Sequence, residues 1–433
     1  VNSSLLIDTD QLRIGMYIQL DVGWLRHPFP VSSFRIASAD QIATLRGLGL
    51  PQVRCILSKT DPEVALALLE PSDPPSICEP READAAPVSE PTPVAETDAA
   101  YRRRVLDAQN HTLAVCNKRF ADSMLHYNHL AEAALTHPTQ ARAQTEAMVS
   151  GCVSDLLDNG ESVIRLLSEV SGERSALHSV NVMVVSLLLG RALGMSSQDL
   201  HDLGIAALAH DLGKLRLPTV VAEPVPSFSP SERVRYESHV SESVAIANQM
   251  GLSDGARVAI AQHHEMADGS GFPKHLGAGQ MTQISQVLAL VNYYDRICNP
   301  AHGVAALTPH EALSVMFAQH KSRFDAVVLG AFIRMMGVYP PGSIVQLVND
   351  QFALVASVNS SRPLRPRVIV YDRAVPRDEA LVLDLETTPD LGIRRSLKPA
   401  QLPRDALDYL SPRRRVCYFF ERAVEPLARK VDP

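Results

Sequence analysis

AQHHEMADGSGFP, residues 261–273, runs two adjacent histidines into Glu265 and then into a bend containing Gly269, Gly271 and Pro273. Imidazoles and carboxylates packed this densely are uncommon on an ordinary surface loop. The stretch reads as a metal site, as a phosphate-binding turn, or as a polar helix end followed by a turn. The rest of the chain has to decide among the three.

Further polar clusters recur in the helical region around it: His178, His210-Asp211 with Lys214, His239, and Asn292 with Asp295. His210-Asp211 closes the run LGIAALAHDLGK, where Leu203, Ala207 and His210 share a helix face. Ionisable groups at the end of an apolar helix are costly unless paired or metal-bound. Several of them converging on the same cations would offset that cost. Neutral imidazoles with a carboxylate and no thiolate suit Fe, Mn, Co, Ni or Zn rather than Ca or Mg. An aspartate can bridge two metals roughly 3.5–4 Å apart, the spacing used in phosphodiester hydrolysis. On a helix His263 and His264 point about 100° apart, so they are expected to bracket an edge of a two-metal site rather than grip one metal from one face. Lys214 would set a positive charge where a phosphoryl oxygen develops negative charge. A lone histidine is more often packed or solvated, and His27, His111, His137, His201, His275, His302, His310 and His320 are assigned nothing; His126 and His129, without a carboxylate nearby, are treated likewise.

The bulk numbers narrow the class. At 433 residues the chain suggests two to four domains. It is 46% hydrophobic but only 5% aromatic, which suits aliphatic helix packing. A net charge of −7 argues against a nucleic-acid polymer as partner. Six scattered cysteines without a C-x-x-C pair argue against a disulfide framework or zinc-thiolate site and fit a reducing compartment. No signal peptide is visible, and VMVVSLLLG (182–190) is too short to span a bilayer. The expectation is a cytoplasmic protein without a membrane segment.

Composition divides the chain. Residues 1–68 carry strand-like runs (MYIQL, QVRCIL) and a short helix over 38–49, a small α+β regulatory domain. Residues 69–100, rich in proline, alanine and acids, read as a flexible linker. Residues 101–170 read as connecting helices, one from Tyr101 to Leu135 that stops before His137-Pro138, another from Gln140 to Val170. They either pair with a second copy of the chain, giving a homodimer, or pack on the domain that follows. Residues 171–340 are helical and more apolar, with a capping box at Ser229-Pro230-Ser231-Glu232. Residues 341–433, with IVQLV, ALVASV and RVIVYD, form a small β-rich module. The basic run Arg413-Arg414-Arg415 reads as a solvated face.

HSVNV at 178–182, HDLGK at 210–214, His239, HHE at 263–265 and DGSGFP at 268–273 together resemble the HD-GYP family of HD metal-dependent phosphohydrolases. LRIGMYIQLD, Trp24 and HPF at 27–29 resemble the N-terminal domain of unknown function that often precedes that module in bacteria. The resemblance implies a multidomain, mainly α protein: an all-α HD-type bundle core, the small α+β domain before it and the β-rich module after it. It implies a cyclic di-GMP phosphodiesterase in which a metal-bound hydroxide attacks phosphorus in line, giving pGpG and then GMP. It also implies the site: His178, His210 and a bridging Asp211 on one metal, His239, His263 and His264 on the other, Asn292 as the last ligand, and Lys214 on a phosphate. Asp268, Gly269, Gly271, Phe272 and Pro273 would shape the nucleotide pocket, and Glu265 would orient one histidine.

Four departures qualify it. Asn292 stands where the family usually has the first aspartate of a D-x-x-D pair, Asp295 keeping the second. Arg174 stands where trinuclear members have a glutamate, so two divalent ions, Fe or Mn, are expected rather than three. Phe272 replaces the GYP tyrosine, and CNPAHGV after Asp295 lacks an arginine that many members use on substrate. The rival expectation is a weak or inactive receptor that binds cyclic di-GMP or a signalling partner; a third is the same chemistry on another phosphodiester such as cyclic GMP-AMP.

Overall fold

SVIRL, expected inside a long helix, is instead strand β5 (Ser162–Leu166), buried along its whole length. Val163 and Ile164 are β-branched, and a strand covered on both faces shows no alternation to betray it. The computed structural model describes residues 4–19, 33–36, 42, 45–46, 52–56, 59–61, 64, 97–158, 162–168, 171–225, 227–301, 303–359, 362–388 and 390–422. Trp24, the HPF stretch, most of the helix expected over 38–49 and the linker up to residue 96 lie outside them.

Two compact units emerge. In the first, β1 (Ser4–Asp8), β2 (Tyr17–Gln19), β3 (Ser33–Arg35) and β4 (Gln52–Ile56) form an antiparallel sheet in the order β1-β4-β2-β3. Ile7, Met16, Ile18, Ile36, Val53 and Cys55 make its core. Gly15, at φ +95°, turns the chain into β2 and donates its N–H to Ile36 O.

The second unit, Asp98–Leu427, holds the rest. Helix α1 (Asp98–Thr136) starts inside the segment expected to be linker and ends one residue before His137. Its buried residues Cys116, Phe120, Ser123, Tyr127, Leu130 and Ala134 alternate steps of four and three, a stripe facing its own unit. Of the two expectations for the long helices, packing on the following domain accounts for this face. Helix α2 (Pro138–Asp158) ends well short of Val170, where β5 follows.

The bundle comprises α3 (Arg174–Ala192), α4 (Ser197–Ala209), α5 (Pro230–Glu237), α6 (His239–Met250), α7 (Asp254–Gln262), α8 (Gln283–Cys298), α9 (Pro309–Ala318) and α10 (Ala326–Met336). Helix α3 is its axis, packed by α1, α4, α8 and the last strand. Its length and hydropathy would suit a membrane crossing, yet most of its surface is buried inside the protein. The capping box at Ser229 and Glu232 starts α5 as expected. A second one, Thr308 with Glu311, starts α9.

The β-rich C-terminus is no separate module. Strands β6 (Ile344–Leu347), β7 (Phe352–Asn359), β8 (Arg367–Val370), β9 (Val382–Asp384), β10 (Ile393–Leu397) and β11 (Tyr418–Arg422) share one antiparallel sheet with β5, ordered β10-β6-β7-β5-β11, while β8 joins β7 to β9. Strand β5 lies between β7 and β11, and its buried Arg165 pairs with Glu421 of β11 at 2.9 Å. Sheet and bundle meet at Asn181 of α3. Its amide donates to Asp295 Oδ1 (2.5 Å) and Val416 O (3.2 Å), and its Oδ1 accepts from Tyr418 N–H (2.8 Å). Replacing Asn181 with Ala should cost about 2–4 kcal/mol in urea denaturation, because Asp295 and two backbone groups lose a buried partner together. A loss below about 0.5 kcal/mol would mean these bonds do not couple sheet to bundle.

Candidate metal centre

Helix ends build the site. His210 caps α4, His239 opens α6 directly after α5, and His263 caps α7. The last carbonyls of a helix have no intrahelical donor, and each of these histidines supplies one from Nδ1: His210 to Ala207 O (2.8 Å), His239 to Tyr236 O (2.5 Å), His263 to Ile260 O (2.6 Å). His178, on the second turn of α3, does the same to Asp295 Oδ2 at 2.5 Å. A carbonyl or carboxylate oxygen only accepts, so the proton of each neutral ring sits on Nδ1 and the Nε2 lone pair is bare.

The bare nitrogens converge in pairs. His178 Nε2 lies 3.1 Å from His210 Nε2, and His239 Nε2 lies 3.3 Å from His263 Nε2. Between the pairs sits the buried Asp211 carboxylate. Its Oδ2 is 3.6 Å and 3.4 Å from His178 and His210, and its Oδ1 is 3.4 Å and 3.7 Å from His239 and His263. Oδ1 has no hydrogen-bond partner. Facing lone pairs and an orphaned buried carboxylate oxygen repel one another unless cations lie among them. The donor sets His178–His210–Asp211 and Asp211–His239–His263–His264 thus fit divalent metal ions, with Asp211 common to both.

Charge agrees with this. Burial would raise the Asp211 carboxyl, but Lys214, His210 and His239 hold it well below its usual value. Burial pushes His239 down to about 4, and burial with neighbouring imidazoles pushes His263 and His264 well below the ordinary value. These rings are neutral near pH 7 and can donate to metal.

His263 and His264 join one donor set rather than bracketing an edge. Helix α7 ends at Gln262, so helical spacing does not govern His264, and the two ring centroids are only 4.2 Å apart. His264 differs from the others in its outer partner. Its Nδ1 lies 3.4 Å from Nη1 of Arg296, a group that only donates. Asn292, on α8 one turn before Asp295, is buried; its amide makes one long bond to His263 O (3.4 Å) and its Oδ1 is unpartnered.

Glu265 does not orient a histidine. It is fully buried and accepts the N–H groups of Lys274 (2.6 Å) and Leu276 (2.9 Å), clamping the DGSGFP loop. Gly271 is obligatory, since a Cβ there would sit 2.4 Å from His264 O and Met266 N. Asp268, Gly269 and Pro273 shape the turn and do not line the cavity beside it. Asp268 accepts from Ser270 N–H, and Gly269 sits at φ +75°. Ser270, Gly271 and Phe272 do line that cavity, and Phe272 stacks on His264 with centroids 4.4 Å apart.

The cavity, about 790 Å³, opens beside Asp211. Lys214 borders it, its Nζ 2.7 Å from Asp211 Oδ2. Gly213 lets this turn lie under α6, because a Cβ there would meet His239 O at 2.1 Å. Arg174, noted from sequence at a ligand position, lines the cavity too, and sequence reasoning missed Tyr127 from α1, Tyr236 from α5, and Arg233, Arg296 and Arg323. Arg296 bears most on the site. It follows Asp295 directly, and its guanidinium lies 5.8 Å from the Tyr236 ring, while Lys214 lies 5.7 Å from the same ring. The sought arginine was expected further along the chain, so this one went unassigned.

Chelator-treated protein should lose stability as pH falls from about 6.5 to 4. In that window unfolded imidazoles bind protons and buried His239 does not, so the unfolded state gains; His239 alone contributes about 3 kcal/mol. Thermal melts with and without a divalent metal check this. A flat Tm across the window in the metal-free protein would refute the neutral-imidazole assignment.

Residues 158–328 match the family model of the HD domain, and residues 4–155 match a domain of unknown function, DUF3391. The second match takes in α1 and most of α2, which sequence reading had set apart as connecting helices. A cyclic di-GMP phosphodiesterase of Pseudomonas aeruginosa is 26% identical over 377 residues, 84% of either chain. Cyclic di-GMP phosphodiesterase PdeB of Borreliella burgdorferi is 21% identical over 239 residues, 54% of this chain and 63% of that protein. A 3'3'-cGAMP-specific phosphodiesterase of Vibrio cholerae is 25% identical over 167 residues, 38% of this chain and 36% of that one. His210 and Asp211 at the centre of the donor cluster agree with the first match: this chain carries an HD domain over residues 158–328, preceded by a DUF3391 domain over residues 4–155.

Proposed function

We propose that this chain is a metal-dependent phosphodiesterase that hydrolyses cyclic di-GMP to pGpG, with GMP the product of a second cleavage. The observation that carries the reading is the Asp211 carboxylate set between two pairs of bare imidazole nitrogens, at the wall of a cavity bordered by Lys214 and Arg296. The named relatives support the substrate class.

His178, His210 and Asp211 would hold one ion and Asp211, His239, His263 and His264 the other, with Asn292 Oδ1 as an additional neutral donor. Iron or manganese suits this nitrogen and oxygen set. Two such ions supply Lewis acidity toward a phosphodiester and lower the pKa of water. Lys214 and Arg296 attract and orient the phosphate and offset the negative charge that grows on its oxygens. Phe272 gives guanine an aromatic face, with the Tyr236 ring set edge-on to it at 65°, and the Glu265 clamp keeps Gly271 and Phe272 in place. Asp295 fixes the His178 tautomer.

A second reading draws on Asn292, whose neutral amide is a weaker ligand than a carboxylate: a receptor that binds the dinucleotide and turns it over slowly. Anaerobic reconstitution with Fe(II) or Mn(II), followed by metal and product analysis of one sample, separates the two. About two ions per chain and formation of pGpG or GMP are expected. Tight nucleotide binding without product would favour the receptor. His210→Ala with Asp211→Ala should abolish both metal and turnover, and unchanged metal content in that variant would sink the ligand assignment. Asn292→Asp should tighten metal binding by at least roughly tenfold, read by competition with a chelating dye; no change would remove Asn292 from the donor set.

A further inference from the structure

The run Arg413-Arg414-Arg415, read from sequence as a solvated face, borders the site. Arg414 and Arg415 line a second cavity of about 260 Å³ whose wall is shared with the first. Arg174, His178 and Val304 belong to both, so the cleft continues past His178 to the chain just before β11. Arg413 takes no part; its guanidinium donates to Leu167 O and Ser411 O.

This annex is cationic. It has three guanidinium groups, and its one carboxylate among the described lining residues is Asp295. Asp295 already accepts from His178, Asn181 and Asn299. Arg415 reaches Gly172 O at a long 3.4 Å, and Arg174 donates to Asn299 O while facing Glu223. The arginine run is anchored, because Asn299 accepts from Val416 N–H (2.8 Å) and donates to Val416 O (2.9 Å). Asn299 caps α8, the helix that carries Asn292 and Asp295, so the run is held in register with the candidate metal centre.

We propose that Arg174, Arg414 and Arg415 form a second phosphate subsite, which holds the phosphate of a dinucleotide that is not being cleaved. The subsite rests on the phosphodiesterase reading, since the other phosphate then lies at the metal centre. A guanidinium fork matches phosphate oxygens in pairs, and its charge persists at any physiological pH. The annex thereby selects substrates with two phosphates over those with one.

The test compares full-length, metal-reconstituted protein with the Arg414→Gln/Arg415→Gln variant on cyclic di-GMP and on bis(p-nitrophenyl) phosphate, which has a single phosphate. The variant should raise KM for cyclic di-GMP about tenfold, as two partly exposed charge contacts would, and leave kcat and all kinetics on the small diester unchanged. Arg414→Lys/Arg415→Lys should recover much of the loss. An unchanged KM for cyclic di-GMP overturns the subsite and leaves the function standing. Equal losses on both substrates also overturn it, since the damage then lies at the metal centre or in the fold. If the parent protein hydrolyses neither substrate, the phosphodiesterase reading falls, and calorimetric binding of cyclic di-GMP decides the subsite: tenfold weaker binding in the variant supports it, equal binding or none overturns it.

Discussion

Three hydrogen bonds from histidine Nδ1 to the carbonyl three residues back carry the candidate centre. A helix end leaves carbonyls without donors, and at Ala207, Tyr236 and Ile260 the missing donor is an imidazole. The same bond that finishes the helix assigns the tautomer and aims Nε2 away from it. Ligand orientation is therefore a by-product of ordinary helix termination, and it persists as long as the helices pack. Asp211 follows His210 where α4 tightens into the 3₁₀ turn Leu212–Arg216, which carries its carboxylate into the space that the imidazoles enclose.

His178 is held differently, and that difference ties the centre to the sheet. Its Nδ1 partner is Asp295, whose other contacts are Asn181 and Asn299. Those amides also bind the backbone of Val416 and Tyr418 at the entry to β11. Tyr418 adds a hydroxyl contact to Tyr294 of α8 at 2.9 Å. A shift in β11 would thus reach His178 through one layer of buried polar groups. Such a network is strong only while every member is satisfied, which makes the C-terminal strand part of the site's support.

Much of this was legible in the sequence. The HSVNV, HDLGK and HHE motifs meet at one cluster with the DGSGFP loop beside it, and the proline-led capping box marked its helix start. What escaped did so for physical reasons. Strand β5 is buried on both faces and carries no period-two signal. Tyr127 reaches the cavity from a helix whose pattern reads as plain packing, and Arg296 looks like any charged residue of an amphipathic helix. Glu265 was assigned to a histidine because it adjoins two of them, yet its oxygens meet backbone N–H groups nine and eleven residues ahead. Contacts made across a loop leave no local mark. The regulatory role expected of residues 1–68 stays an expectation, with the tether up to residue 96 outside the described residues.

The charge balance of the cleft follows from Asn292, Arg296 and Arg174. Asn292 brings a neutral amide near the donor set, while Arg296 brings a guanidinium to 3.4 Å from His264 Nδ1, and Arg174 sets another one turn before His178. The two guanidinium groups repel a cation and attract an anion, the neutral Asn292 amide does not offset them, and in a low-dielectric pocket such terms act strongly. Metal affinity then depends on the neutral imidazoles and on the single carboxylate of Asp211. That is the arrangement in which fixed tautomers matter most, because a ring aimed with its lone pair inward loses little freedom on binding a cation. In the proposed function, the guanidinium groups draw a substrate with two phosphates into the cleft. On that reading the site trades electrostatic hold on metal ions for hold on an anionic ligand, and helix-end bonds to the imidazoles make that trade tolerable.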